Sequence, residues 1–271
     1  PKGDIDLLVS PEQREAAEAI LAKHGFQHTR ENELIRTTQG EWTLQQSDGQ
    51  PQILELHHNL LPSLTLSEVF QTDSLLENIQ PLPKLCPEAS MLRDSMALLH
   101  ACIHRASHFR IAYYVDGTTH FDGDRLIWLY DMHLLAGRMD DMAWQDFLRR
   151  AVKSGSAPLC HDALRVVQAK FGTILPEDVV RDLAQAPRRG KVFDFFVHTS
   201  LFGRIVSDMA FRPADQSKLA YLRMVFLPSK PALRQMYPEH ADRSATYLQF
   251  LRYKDRLTLL WNERRLKSRR H

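Results

Sequence analysis

"GDIDLLV", residues 3–9, places two acids one residue apart inside an otherwise apolar run. Side chains alternate across an extended strand, so Asp4 and Asp6 share a face while Ile5 and Leu7 alternate with them. Two carboxylates that close repel, and each raises the other's pKa. A divalent cation removes that cost, because hard Mg²⁺ takes oxygen ligands and needs only one or two carboxylates from the protein. The competing reading is a half-exposed strand with both acids in solvent.

A third acid separates the two readings. In "ILELHHNL", residues 53–60, Glu55 sits between Leu54 and Leu56, again one acid in an apolar strand. Where this strand neighbours the first, Glu55 converges on Asp4 and Asp6. Three carboxylates on one sheet face can hold two metal ions ~4 Å apart, the arrangement suited to in-line displacement at phosphorus. His57 shares the face of Glu55, where it can orient a carboxylate, touch a phosphate or cap the sheet edge.

The segments between these strands predict a small mixed sheet. Ser10 opens a helix with Pro11 at its first position and Gln13 in a capping-box pattern. Ala16, Ala17, Ile20 and Leu21 form its apolar face, and Gly25 stops it. "EWTLQQ" and "QILELHHNL" flank "SDGQP", and Asp48-Gly49 is a hairpin signal. Pro62, Pro81, Pro83 and Pro87 then mark a connector with one short helix, and a domain boundary is expected there. Helical spacing dominates beyond it, with "KVFDFFVHTSLFGRIVSDMAF" read as one helix. The expected architecture is α+β: an α/β core over residues 1–83 and a helical domain over 84–271.

Composition narrows the setting. Of the 271 residues, 44% are hydrophobic and 25% charged, and the net charge is +2. No apolar run approaches the ~20 residues of a membrane-spanning helix. Three widely spaced cysteines, without a CxxC pair, fit a reducing, cytoplasmic setting. Arg264, Arg265, Lys267, Arg269 and Arg270 make a basic tail. Such a tail can meet a phosphate-rich partner, but is read first as a solvated helix end whose cations suit the dipole.

"GDIDLLV", "AILAKHGF" and "LELHHNLL", followed by "LLHACIHR", "LIWLYDMHLL" and "MVFLPSKPALRQMYP", resemble the uncharacterised bacterial nucleotidyltransferases of the DNA polymerase beta-type superfamily. The resemblance implies that Asp4, Asp6 and Glu55 are the catalytic acids and the metal ligands, with Mg²⁺ or Mn²⁺ as cofactor. It implies an NTP substrate, ATP being the first choice, whose nucleoside monophosphate passes to an acceptor hydroxyl. It also implies a glycine-rich turn before the first acid that cradles the triphosphate. Only Pro1, Lys2 and Gly3 precede that acid, so the turn is expected upstream of the present sequence. Lys2 and Gly3, with His57, are the candidate nucleotide-binding residues. Alternatives are a non-catalytic nucleotide- or partner-binding module of the same fold, and a toxin-like transferase acting on RNA or protein.

Other polar residues are weighed as structural. His100 and His104 lie four apart on one helix face, a spacing that binds zinc only with a further ligand. Asp131, in an apolar helix, is expected to pair with one of them. Asp116, Asp122 and Asp124 lack the spacing of a calcium loop. Arg234 and His240 are separated by Pro238, which breaks a helix.

Overall fold

Alternation in the opening run forms strand β1 (Asp4–Leu8), which pairs in parallel with β4 (Pro51–His57). The computed structural model describes residues 4–28, 39–47, 49–61, 63–67, 69–108, 113–115, 118–120, 124–212 and 217–269. Between the two strands lie helix α1 (Arg14–Lys23), the short β2 (Gln27–His28) and β3 (Gln39–Gln45). β3 pairs antiparallel with β4, as the hairpin signal requires, and the strand order is β1-β4-β3-β2. Asp48 itself lies outside the described residues, and Gly49 takes the left-handed φ of +82°.

One face of this sheet is apolar. Trp42, Leu54 and Leu56 are buried there, with Val9, Ala17, Leu21 and Phe26 packed against them. Helix α1 therefore covers this face through Ala17 and Leu21. Ala16 and Ile20, expected on the same stripe, are exposed instead. The chain leaves α1 through a Schellman motif: Phe26 N–H donates to Leu21 O (3.0 Å) and Gly25 N–H to Ala22 O (3.1 Å). Gly25, at φ +85°, holds the left-handed position. The start of α1 differs from the capping-box expectation. Residues Pro11–Gln13 first wind one 3₁₀ turn, and the Ser10 side chain makes no capping bond.

The chain divides into two compact units, Pro1–Pro62 with Met209–His271, and Ser63–Asp208. The boundary expected after residue 83 falls inside the second unit. That unit opens with α2 (Thr72–Leu76) and a hairpin of β5 (Ile79–Pro81) and β6 (Ser90–Leu92). Its core is α3 (Asp94–Ser107), α4 (Leu126–Arg138), α5 (Asp141–Ser154), α6 (Ala157–Phe171) and α7 (Glu177–Gln185). A second short hairpin, β7 (Tyr113–Val115) and β8 (Thr118–His120), lies between α3 and α4. Leu98, Leu99, Ile103, Met132, Phe147 and Leu164 are fully buried where α3 packs on α4, α5 and α6. Asp140 caps α5 by accepting from Ala143 N–H (2.8 Å).

The single helix expected from residue 191 is broken. α8 (Lys191–Val197) ends at His198, and α9 (Leu201–Ala210) follows. His198 and Thr199 N–H groups fold back on Asp194 O, and Ser200 Oγ accepts from Gly203 N–H at 3.1 Å. Ser200 therefore acts as a cap inside what reads as one apolar run. α9 is tied to residues 63–65 through Asp208, which accepts from Ser63 Oγ (2.6 Å) and Thr65 Oγ1 (2.8 Å).

Ion pairs brace the helical unit. Arg105, buried on α3, donates to Asp124 and to Asp162 (2.7 Å), so Asp124 serves structure. Asp116 and Asp122 lie outside the described residues. Asp146 on α5 accepts from Arg150 (2.7 Å) and Ser95 (2.7 Å). Burial would raise its carboxyl, but the bonds from Arg150 and Ser95 and the charge of Arg149 outweigh that and hold it below the usual value. A carboxyl depressed in the folded state stabilises fully above its unfolded pKa near 4, and the gain is lost as pH falls through the folded value. Chemical unfolding at mildly acid and strongly acid pH is expected to show Asp146→Asn less acid-sensitive than the parent by about 1 kcal/mol. Equal acid losses in both proteins would count against this role.

The remaining helices belong to the first unit: α10 (Lys218–Phe226), α11 (Lys230–Met236) and α12 (Ala245–Arg269). Ser217 and Ser229 cap α10 and α11 by accepting from Ala220 and Ala232 N–H. A 3₁₀ turn over Pro238–His240 separates Arg234 from His240, in line with the expected helix break. Gln249, Arg252 and Tyr253 of α12 converge on the last carbonyls of α10, with Arg252 Nη2 at 2.5 Å from Val225 O.

Candidate metal and nucleotide site

Register builds the site. The parallel pairing sets Asp6 beside Glu55 and Leu8 beside His57. The antiparallel pairing sets Glu41 beside Glu55 and Gln39 beside His57. Since side chains alternate, Asp6, Glu55, His57, Gln39 and Glu41 all occupy the face opposite Trp42, Leu54 and Leu56. A hydrophobic back thus fixes a polar front, because slipping the register by one residue would bury the acids and expose the leucines.

The side chains on this front converge. His57 Nε2 lies 3.1 Å from Asp6 Oδ1 and 3.4 Å from Glu55 Oε2. Gln39 Nε2 donates to the same Glu55 oxygen at 2.9 Å. One ligand atom from each of Asp6, Glu55 and His57 lies within 4.8 Å of the other two. Among the described residues these three form the one such acid-histidine group of three or more. Asp6 faces solvent, with its side chain 68% exposed, whereas Glu55 and His57 are at 18% and 19%. Burial alone would lower the His57 pKa. The hydrogen bonds and charges of Asp6 and Glu55 more than reverse this, and its pKa rises to about 9. At neutral pH the ring is therefore an imidazolium that balances the two carboxylates.

The donor set fits a hard divalent cation. Two carboxylates from adjacent strands offer the oxygen ligands that Mg²⁺ and Mn²⁺ prefer. Gln39 orients Glu55 from outside that set, the kind of support that ligating carboxylates usually have.

The structure brings Asp6, Glu55 and His57 together. Asp4 opens β1 opposite Ile53, two residues before Asp6 on the same strand, and its side chain is outside the described set. Lys2 and Gly3 lie outside the described residues. Sequence reasoning missed Gln39 and Glu41. The signal was present: carrying the hairpin register outward from the Asp48-Gly49 turn pairs Glu41 with Glu55 and Gln39 with His57.

His100, His104 and His108 form an aromatic cluster. His104 Nε2 is 3.3 Å from His108 Nε2, and both rings pack on Trp128 at 5.2 and 4.7 Å between centroids. All three cysteines are free, with Cys102 and Cys160 buried. No helix among the described residues is long and apolar enough to cross a membrane.

No curated protein and no solved structure matches the chain. A profile of the family described as uncharacterised nucleotidyltransferase matches residues 1–172, which include the whole acidic sheet face and the helices through α6. With the sheet, the register and the converging acids in place, that match over more than half of the chain shows that it belongs to the uncharacterised nucleotidyltransferase family.

Proposed function

We propose that the chain is a metal-dependent enzyme that moves a nucleoside monophosphate from an NTP, ATP in the first instance, to an acceptor hydroxyl. Asp4, Asp6 and Glu55 are the ligands for Mg²⁺ or Mn²⁺, and Lys2, Gly3 and His57 contact the nucleotide phosphates. The observation that carries this reading is the convergence of Asp6, Glu55 and His57 on one polar sheet face backed by a hydrophobic core. Bound divalent cations would neutralise phosphate charge and lower the pKa of the attacking hydroxyl.

The protein's own groups do the rest. Gln39 holds Glu55 in place, so one carboxylate is oriented before substrate arrives. Asp6, exposed at the edge strand, is open to the incoming nucleotide. His57, protonated between them, can donate to a phosphate oxygen when the nucleotide enters. The acceptor oxygen forms its bond to the α-phosphorus as the bond to the bridging oxygen breaks. Pyrophosphate leaves, and the acceptor proton passes to a site carboxylate. The exposed Cys86 thiol suits a reducing, cytoplasmic setting.

One feature favours a second reading. The His57 imidazolium already balances Asp6 and Glu55, an arrangement that suits a non-catalytic nucleotide-binding module without a metal. Incubation with α-labelled NTPs, Mg²⁺ and cell extract separates the two. Catalysis requires label on an acceptor and free pyrophosphate. Nucleotide binding without either product supports the module.

A further inference from the structure

The C-terminal helices differ in charge from the rest of the chain. Residues 217–271 hold thirteen Lys and Arg against four Asp and Glu, a local net charge of +9 in a chain whose total is +2. Within them, α12 runs for 25 residues, about 37 Å at 1.5 Å per residue. Its packed side is set by Leu248 and Arg252, both buried. The opposite side carries Phe250, Leu257 and Trp261, which are 62%, 66% and 62% exposed. Spacings of seven and four place these three on one stripe. Lys254, exposed, stands in the same stripe between Phe250 and Leu257.

From this juxtaposition we infer that the exposed side of α12 is a binding surface for single-stranded RNA. Unpaired bases stack on exposed aromatic rings, and such stacking tolerates any base. Phe250 and Trp261 lie about 16 Å apart along the axis, a span of a few nucleotides. Lys254 between them, and the cations that surround the stripe in sequence, meet the phosphates. The other occupants fit less well. A second copy of the chain would bring together two C-terminal segments of +9 each. A lipid surface wants a broad, uninterrupted apolar face, whereas this stripe is narrow and holds a lysine within it. The inference does not depend on the chemistry of the acidic sheet, and α12 lies beyond the residues matched by the family profile.

Fluorescence anisotropy of a labelled oligouridine RNA with the full chain tests it. Binding is expected to weaken about tenfold in Trp261→Ala and again in Phe250→Ala. Trp261→Phe, which keeps a ring, is expected to bind like the parent. Affinity is expected to fall at least about tenfold between ~50 and ~200 mM salt. Asp6→Asn is expected to bind RNA as the parent does, so loss of transferase chemistry leaves this result standing. Several outcomes overturn the inference: no binding at low salt, binding unmoved by both alanine variants, or an equal affinity for duplex DNA. So do a dimer in sedimentation that Trp261→Ala dissociates, and co-sedimentation with phosphatidylserine vesicles in place of RNA binding.

Discussion

Asp6→Asn is expected to release pyrophosphate from NTP at least about a thousandfold more slowly than the parent, since a cation at phosphorus contributes several kcal/mol to the transition state. Asparagine keeps the shape of Asp6 but removes the charge that a hard cation needs. The substitution also removes one of the two carboxylates that lift the His57 pKa. Asp6 is exposed and outside the apolar core, so the sheet is expected to stay folded, with an unchanged circular dichroism spectrum. Glu55→Gln is expected to cost as much alone, and the double variant little more, because ligands of one site act as a unit. Activity within tenfold of the parent in Asp6→Asn would remove this residue from the chemistry.

The largest expected stability effect is at Gly155. It ends α5 in the left-handed conformation, at φ +71°, and there it meets Gly190 at the start of α8. A Cβ on Gly155 would lie 2.7 Å from Gly190 Cα and 3.0 Å from Gly190 C. Both neighbours are backbone, and Gly190 is fixed on each side of its peptide. Its N–H donates to Asp194 Oδ2 at 3.1 Å, and its carbonyl accepts from Asp194 N–H at 2.8 Å. Gly155→Ala therefore adds a backbone collision to the left-handed penalty, and about 3 kcal/mol is expected. Gly172 is the control. It ends α6 at φ +63° with nothing within 4 Å of an added Cβ, so Gly172→Ala costs the conformational penalty alone, about 1 kcal/mol. Thermal unfolding is expected to drop by roughly 6–12 °C for Gly155→Ala, and by about a third of that for Gly172→Ala. Equal drops would show that the two helix ends do not in fact press on each other.

Much of the sheet was legible because its signals are local. Two acids on one side of an apolar strand, a helix closed by Gly25 and a hairpin at residues 48–49 each follow from a few residues. The site was legible only in part. Asp6, Glu55 and His57 stand out as polar residues in apolar strands, whereas Glu41 and Gln39 sit in a mostly polar segment and gain meaning only through the register with β4. The break at His198–Ser200 was missed because apolar spacing continues across it, and only the Ser200 cap marks the new start. The hairpins β5–β6 and β7–β8 were missed for another reason: their strands are three residues long, too short for alternation to show. The exposed stripe of α12 was hidden as well, since helical spacing of Phe250, Leu257 and Trp261 reads as core until the structure places Leu248 and Arg252 on the packed side.

Anomalous diffraction from crystals soaked with Mn²⁺ tests the sheet site most directly. A peak is expected about 2.1 Å from carboxylate oxygens of both Asp6 and Glu55, absent from crystals of Glu55→Gln. Crystals that take up Mn²⁺ elsewhere, with His57 still bridging two metal-free carboxylates, would contradict a metal-dependent transferase.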